Sequence, residues 1–126
     1  MFDWEDYLKL AEDLHEEGED PPQEAHERTA ISRAYYAAFH KALMHAPPRI
    51  QDTRKEKHRK VIEHYEAGHS SKEREIGRLL GALRDNRNKA DYEEDIGGLS
   101  QCVFKADNSI HLSKEIRSKL SDIYAE

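Results

Sequence analysis

Apolar positions recur every three to four residues along most of the chain, which is the spacing of one face of an α-helix. The sequence shows no alternation of apolar and polar residues of the kind that a half-buried strand requires. The first helical segment, about 3–18, is expected to stop at Gly18, before Pro21 and Pro22. Its apolar stripe consists of Trp4, Tyr7, Ala11 and Leu14. The pattern therefore predicts an amphipathic first helix whose opposite face is acidic.

The second predicted helix starts near these prolines and runs to about Ala46, where Pro47 and Pro48 are expected to end it. Within "AISRAYYAAFHKAL", residues 30–43, apolar side chains lie on all sides. This distribution is typical of a central helix that is surrounded by other helices or by a partner chain. Polar side chains share one side of the same segment: Arg33, Tyr36 and His40. A guanidinium buried there needs a carboxylate or a phosphate.

Two further helices are predicted before the C-terminal one. The third, about 53–67, is mostly polar, and Thr53 is its expected N-cap. The fourth begins after a cap at Ser70 or Ser71. Its leucine-rich stripe follows the i, i+3, i+4, i+7 rule through Ile76, Leu79, Leu80 and Leu83. Arginines follow this stripe directly.

The last predicted helix begins after Gly97-Gly98 and keeps one apolar stripe from Leu99 to Ile123. The connections between the predicted helices are short, so neighbouring helices are expected to run antiparallel. The fold class that follows is all-α, an antiparallel up-and-down bundle of four to five helices. We expect it to form a single domain over residues 1–126.

Composition restricts the cellular location and the stabilising chemistry. The single cysteine, Cys102, excludes an internal disulfide and a cysteine-based zinc site. The acidic start lacks the basic and apolar parts of a signal peptide, and no run approaches the roughly 18 apolar residues of a membrane span. We therefore predict a cytoplasmic protein without a membrane partner.

Charge is unevenly distributed around a net value of -6. Residues 1–28 hold eleven acidic residues against two basic ones, whereas residues 49–60, "RIQDTRKEKHRK", hold six Lys and Arg against two acids. The basic stretch is either a solvated loop and first helical turn or a patch that attracts an anionic polymer.

The segment "RDNRNKADY", residues 84–92, carries the candidate chemistry. Arg84, Arg87 and Asp91 lie on the same helix face as the leucine stripe. The arginines are therefore expected on the side of the helix that faces the core. One interpretation is a phosphate site. The other is a structural Arg87–Asp91 pair, which Arg33 could join and which would fix the helix register.

The segments "ISRAYYAAFHKAL" and "RNKADY" together resemble the HEPN superfamily, specifically its small stand-alone prokaryotic members. The resemblance covers roughly residues 5–122. It implies an antiparallel helical bundle that often dimerises, with a groove between protomers near the later motif. Many members are metal-independent ribonucleases, frequently toxins encoded beside a minimal nucleotidyltransferase. The resemblance thus implies a homodimer that acts on RNA or a nucleotide, with a nucleotidyltransferase-like partner in a toxin-antitoxin, stress or defence pair.

The family's ribonucleases use an Arg, a polar residue and a His shortly after them. Arg87 and Asn88 match the start of this motif, but Tyr92 stands after four intervening residues where the family has His. The resemblance therefore makes Arg87, Asn88, Asp91 and Tyr92 the catalytic candidates. Reference pKa values of about 3.9 for Asp and about 10 for Tyr make both weak bases near neutrality, so we expect low ribonuclease activity.

The predicted phosphate- or RNA-binding set is Arg84, Arg87, Arg33, Tyr36 and His40. Arg87 is the residue expected to bind phosphate most directly, through its planar two-pronged donor geometry. Arg33 and His40 imitate the family's Arg–His spacing, but both lie in the middle of a helix. His40 is therefore expected to be a packed structural histidine, with a role beside Arg87 as the open alternative.

The remaining chemistry is limited. Two Glu-x-x-His pairs, at residues 12–15 and 66–69, do not aim into the predicted core, so we predict no metal and no cofactor. An alternative function is a non-catalytic helical assembly subunit whose arginines form structural ion pairs. Guanidinium groups that are accessible in a cleft would favour phosphate binding. Guanidinium groups that are paired with carboxylates of the chain would favour the assembly subunit.

Overall fold

A computed structural model describes residues 1–16 and 23–124, which form helices and no strand. The helices are α1 (Glu5–Glu16), α2 (Glu24–Met44), α3 (Pro48–Gln51), α4 (Lys57–Glu66), α5 (Ser71–Tyr92) and α6 (Gly98–Tyr124). The predicted all-α bundle is confirmed, and α3 is an additional single turn. The predicted helix end at Gly18 and the start near Pro21 and Pro22 lie outside the described residues.

Helix α2 is central, as its apolar composition predicts. It packs against α1, α5 and α6 and also touches α3 and α4. Its buried residues point in every direction around the helix: Glu27, Ala30, Ile31, Ser32, Ala34, Tyr35, Ala37, Ala38, Phe39 and Ala42. Because helices of the same chain cover them, the apolar surface of α2 does not by itself require a second copy of the chain.

The direction of α4 relative to α2 decides which side chains can meet. The Tyr35 hydroxyl lies 2.6 Å from His58 Nδ1 at the start of α4. Near the other end of the helix, the Tyr65 hydroxyl donates to the carbonyl of Ala42 at 2.6 Å. Helices α2 and α4 therefore run parallel, because residues 45–56 lead the chain back along α2 before α4 begins.

The predicted third helix, 53–67, begins later than expected. The chain first forms α3, with Pro48 in the first turn, where its missing N–H costs nothing. Thr53 is not the cap of α4, because its Oγ1 donates back to the carbonyl of Arg49 at 3.1 Å. Helix α4 begins only after Glu56, whose φ of 55° is left-handed and stops the helix from extending backward.

Helix α5 starts and ends through side-chain contacts. Ser70, one of the two predicted caps, is its N-cap and accepts a hydrogen bond of 3.1 Å from the backbone N–H of Glu73. At the other end, the Arg28 guanidinium donates to several backbone carbonyls. They belong to Lys89, Ala90, Glu93 and Glu94. These contacts fix the segment that carries the arginine motif against α2.

The core has two parts. The larger one combines aromatic and aliphatic side chains of α2, α4, α5 and α6, including Tyr35, Tyr65 and Leu80. The smaller one is rich in alanine from α1, α2, α5 and α6, which lets these helices approach closely. Helix α6 carries most of the predicted stripe, although Leu99 at its start is exposed. None of the helices described here is both long and apolar enough to cross a membrane.

Candidate functional site

The two segments that stand out in the sequence meet in space. Arg87 Nη2 on α5 donates to the Tyr36 hydroxyl on α2 at 2.6 Å. One turn away, Ser32 Oγ lies 3.4 Å from Asp91 Oδ2. Both contacts form because α2 and α5 run antiparallel, so residues earlier in α2 face residues later in α5. The two motifs therefore form one cluster.

Arg87 is held from three directions within this cluster. Its Nε donates to Asp91 at 2.9 Å and its Nη1 to the amide oxygen of Asn88 at 3.0 Å, in addition to the bond with Tyr36. The side chain is 14% exposed. Its Cζ also lies 5.4 Å from the ring centroid of Tyr92. Each of its three nitrogens thus has a protein partner, which fixes its orientation and neutralises much of its charge.

Arg84, one turn earlier on α5, has different surroundings. Its Nε is buried and lacks a hydrogen-bond partner, and no carboxylate of the described chain lies within salt-bridge distance of it. It lines a cleft of about 290 Å³ between α4 and α5, but the acids there, among them Glu66 and Asp85, do not pair with it. An unsatisfied buried polar group costs roughly 1–3 kcal/mol. Arg84 is therefore a partly desolvated cation without an anion.

A histidine from α4, which is not among the site residues predicted from the sequence, joins the cluster. The Tyr35 hydroxyl lies 2.6 Å from His58 Nδ1, and the His58 ring stacks on Phe39 with centroids 4.0 Å apart. Burial and the positive charges of Arg84 and Arg87 lower the pKa of His58 to about 4. His58 is therefore a neutral imidazole next to two arginines.

A sequence signal for His58 does exist. His58, Val61, Ile62 and Tyr65 follow the i, i+3, i+4, i+7 spacing of one helix face. The last three are the apolar residues of this face, whereas His58 falls within the basic stretch 49–60. Extending the stripe by one turn would have placed His58 on the buried face of α4.

Arg33 and His40 are stabilised by aromatic rings of the N-terminal segment. The Arg33 guanidinium lies 4.8 Å above the ring of Tyr7, and Trp4 stacks on His40 with centroids 3.4 Å apart. The described residues place no carboxylate beside Arg33, so the aromatic face takes the role expected of an anion. His40 is packed, and burial lowers its pKa. No described hydrogen bond joins it to Arg87.

The other catalytic candidates differ in accessibility. Tyr92, at the end of α5, is 74% exposed. Asp91 accepts one hydrogen bond from Arg87 Nε and lies within reach of Ser32. The amide oxygen of Asn88 accepts from Arg87, which leaves its NH2 group available. Asn88 and Tyr92 can therefore offer donors to a ligand next to Arg87.

The described residues contain no group of three His, Cys, Asp or Glu side chains that could hold a metal ion. His15, the histidine of the first Glu-x-x-His pair, instead contacts Glu27 of α2 at 2.7 Å.

The chain matches no protein-family model, no curated protein and no solved structure. The function of the cluster therefore has to be argued from its own residues and from the resemblance of its two motifs.

Proposed function

We propose that this chain is a HEPN-type protein that binds the phosphates of RNA or of nucleotides at the cluster between α2, α4 and α5. The observation that carries the proposal is Arg84, a partly desolvated guanidinium without a carboxylate partner in the described chain. A phosphate next to it would supply the missing anion. The contact between Tyr36 and Arg87 adds support, because it joins the two motifs on which the family resemblance rests.

The two arginines have different tasks in this proposal. Arg84 attracts the phosphate, whereas Arg87 is held by its protein partners and orients Asn88 and Tyr36 around the site. Asn88 and Tyr92 contribute hydrogen bonds to the ligand. Binding requires no catalytic base, so the proposal holds whether or not the RNA is cleaved.

The basic stretch 49–60 adds long-range attraction to this site. Arg59 is paired with Glu56 and Glu63, at 2.6 and 2.7 Å. Lys57 lies close enough to the site to contribute to the lowered pKa of His58. Although Glu56 and Glu63 neutralise Arg59, residues 49–60 hold six Lys and Arg against two acids and so extend positive potential outward from the cluster. This contribution is sequence-independent and sensitive to salt.

The resemblance also leads us to propose a cytoplasmic homodimer with a nucleotidyltransferase-like partner, in a toxin-antitoxin, stress or defence pair. Light scattering tests the dimer, because the chain has a mass of 14.7 kDa. Twice that mass at micromolar concentration supports the dimer, and the monomer mass contradicts it.

One observation favours a second function, a non-catalytic assembly subunit. All three guanidinium nitrogens of Arg87 donate hydrogen bonds within the chain, to Asp91, Asn88 and Tyr36. A structural ion-pair network would have this arrangement. In this reading the cluster fixes the packing of α5 against α2 and binds no RNA.

An RNA titration separates the two functions. Fluorescence anisotropy of a labelled hexauridylate should show binding that weakens as salt rises. Replacing Arg84 by Gln should weaken binding by roughly tenfold or more, because a charge-assisted hydrogen bond of about 1.5–3 kcal/mol is lost. Arg74→Gln is the matched control, because the substitution removes the same charge from the same helix at an exposed residue outside the cleft, whose described hydrogen bonds go to the backbone carbonyls of Gly68 and His69.

Equal losses in the two variants would mean that only general charge matters and would contradict a site at Arg84. Absence of any binding by the wild-type chain would reject RNA binding and favour the assembly subunit.

A further inference from the structure

The hydrogen bond between Tyr35 and His58 determines where the imidazole carries its hydrogen. The Tyr35 side chain is fully buried, and burial raises its pKa, so its hydroxyl stays protonated. Its described hydrogen-bond partner is His58 Nδ1, at 2.6 Å. A buried O–H needs an acceptor, so the hydroxyl donates to Nδ1. The neutral ring must then carry its hydrogen on Nε2.

The Nε2–H group is unused within the described part of the chain. Nδ1 has the Tyr35 hydroxyl and the ring face has Phe39, but no described hydrogen bond involves Nε2. Arg84 Nε is a buried donor without a partner, whereas His58 Nε2 is not among such buried atoms and is therefore open to solvent. A ligand that enters from solvent can reach the Nε2–H donor.

The charged and titratable groups that face His58 come from three helices. Helix α2 contributes Tyr35 and His40, and α5 contributes Arg84 and Arg87. On α4 itself, Lys57 directly precedes His58. The lysine and both arginines carry positive charge, and the three together oppose protonation of the imidazole. No carboxylate is among these neighbours. The positive charges favour an anion as the acceptor in this space, and such an anion would come from outside the described chain.

We propose that His58 is a phosphate-binding residue that donates a hydrogen bond from Nε2–H, as a neutral imidazole, to a phosphodiester held by Arg84. Tyr35 is its positioning residue, because the Tyr35 hydroxyl holds the tautomer that makes Nε2 a donor. The inference rests on the proposed phosphate site and adds a residue from α4 to it. A neutral donor suits a phosphodiester, which carries one negative charge, because the arginine already supplies the countercharge.

Nitrogen-15 NMR of histidine side chains tests the tautomer directly. At pH 7 the His58 ring should be neutral, with hydrogen on Nε2 and none on Nδ1. On addition of hexauridylate the Nε2–H signal should shift while the ring remains neutral. Hydrogen on Nδ1 in the free protein would overturn the proposal, and so would a ring that becomes doubly protonated when the RNA binds.

Two substitutions test the hydrogen bond. His58→Gln keeps an N–H donor near the position of Nε2 and should retain most of the affinity for hexauridylate. His58→Leu removes the donor and should weaken binding about tenfold, the effect of one hydrogen bond to a charged group. His111→Leu is the control, because His111 is 74% exposed on α6 and its ion-pair partner in the described part of the chain is Asp107. It should leave the affinity unchanged.

The outcomes separate this inference from the proposed function. If wild-type binding depends on Arg84 but is unchanged in His58→Leu, the phosphate site stands and the role of His58 is refuted. If the wild-type chain binds no hexauridylate, both are refuted. Should His58→Leu fail to fold, the NMR titration of the wild-type ring decides, since an unshifted Nε2–H signal at saturation overturns the role of His58.

Discussion

Arg87 on α5 donates a 2.6 Å hydrogen bond to the hydroxyl of Tyr36 on α2, across 51 positions of the sequence. The bond joins two helices that are antiparallel and buried against each other. It also brings the two motifs of the sequence into contact. The geometry around these two residues therefore connects the packing of the bundle with the chemistry of the site.

A double-mutant cycle measures this contact. Tyr36→Phe should lower the free energy of unfolding by roughly 1–3 kcal/mol, because it removes an acceptor from a charged group. Combined with Arg87→Gln, the two losses should couple by more than about 0.5 kcal/mol. Tyr92→Phe is the control, since its exposed hydroxyl has no described hydrogen bond, and it should change stability by less than about 0.5 kcal/mol. Additive losses would contradict the contact.

Two glycines of α5 predict opposite effects of the same substitution. A Cβ at Gly77 would overlap the backbone nitrogen of Glu66 and lie 2.8 Å from its Cα, whereas a Cβ at Gly81 meets nothing within 4 Å. Gly77→Ala should destabilise the fold by about 1–3 kcal/mol through overpacking between α4 and α5. Gly81→Ala should stabilise it by roughly 0.5–1 kcal/mol through helix propensity. Urea denaturation checks both, and a stabilising Gly77→Ala would contradict the close packing.

The pair of His15 and Glu27 holds α1 against α2. Glu27 is 1% exposed and His15 Nδ1 lies 2.7 Å from its carboxylate. His15→Ala should lower the free energy of unfolding by roughly 3 kcal/mol or more, because it leaves a carboxylate buried without its partner. Joint replacement of both residues by Leu should recover most of the loss. A loss below about 1 kcal/mol in the single variant would show that Glu27 does not depend on His15.

Stability should fall below neutral pH. Burial is the first cause that lowers the pKa values of His40, His58 and His64 from 6.5, to about 4 in the case of His58. As pH drops below 6.5, the unfolded chain takes up protons that the folded chain does not, so stability present above pH 7 is lost progressively toward pH 4. Urea denaturation at pH 7 and pH 5 measures the loss. His58→Gln should show a smaller loss, and an equal one would contradict the neutral His58.

Most of the fold follows from sequence periodicity. The cap at Ser70, the central position of α2 and the stripe of α6 are confirmed, because each depends on local residue types and helix spacing. The start of α4 could not be predicted, since Glu56 adopts a left-handed conformation that has no sequence signal in a non-glycine residue. The parallel arrangement of α2 and α4 could not be predicted either, because it depends on the path of residues 45–56, which include Glu56.

The candidate site was predictable only in part. Helix spacing placed Arg84, Arg87 and Asp91 on one face and offered the Arg87–Asp91 pair that the structure contains. It could not show that Arg87 has a further partner on another element whereas Arg84 Nε has none. That difference depends on Tyr36, which belongs to another helix. His58 was missed because the sequence does not show that residues 45–56 bring the start of α4 beside α2 and the arginines. The sequence shows only that His58 shares a helix face with the apolar residues of α4.

The proposed phosphate site depends on the difference between Arg84 and Arg87, and a lysine substitution at Arg84 tests it. The affinity for hexauridylate and the melting temperature are measured on the same variant, with Arg87→Lys beside it for comparison. Lysine keeps the charge but loses the planar donor geometry. Arg84→Lys should weaken binding by about tenfold with little change in melting temperature, whereas Arg87→Lys should lower the melting temperature. An Arg84→Lys variant that melts earlier but binds with unchanged affinity would contradict the phosphate site.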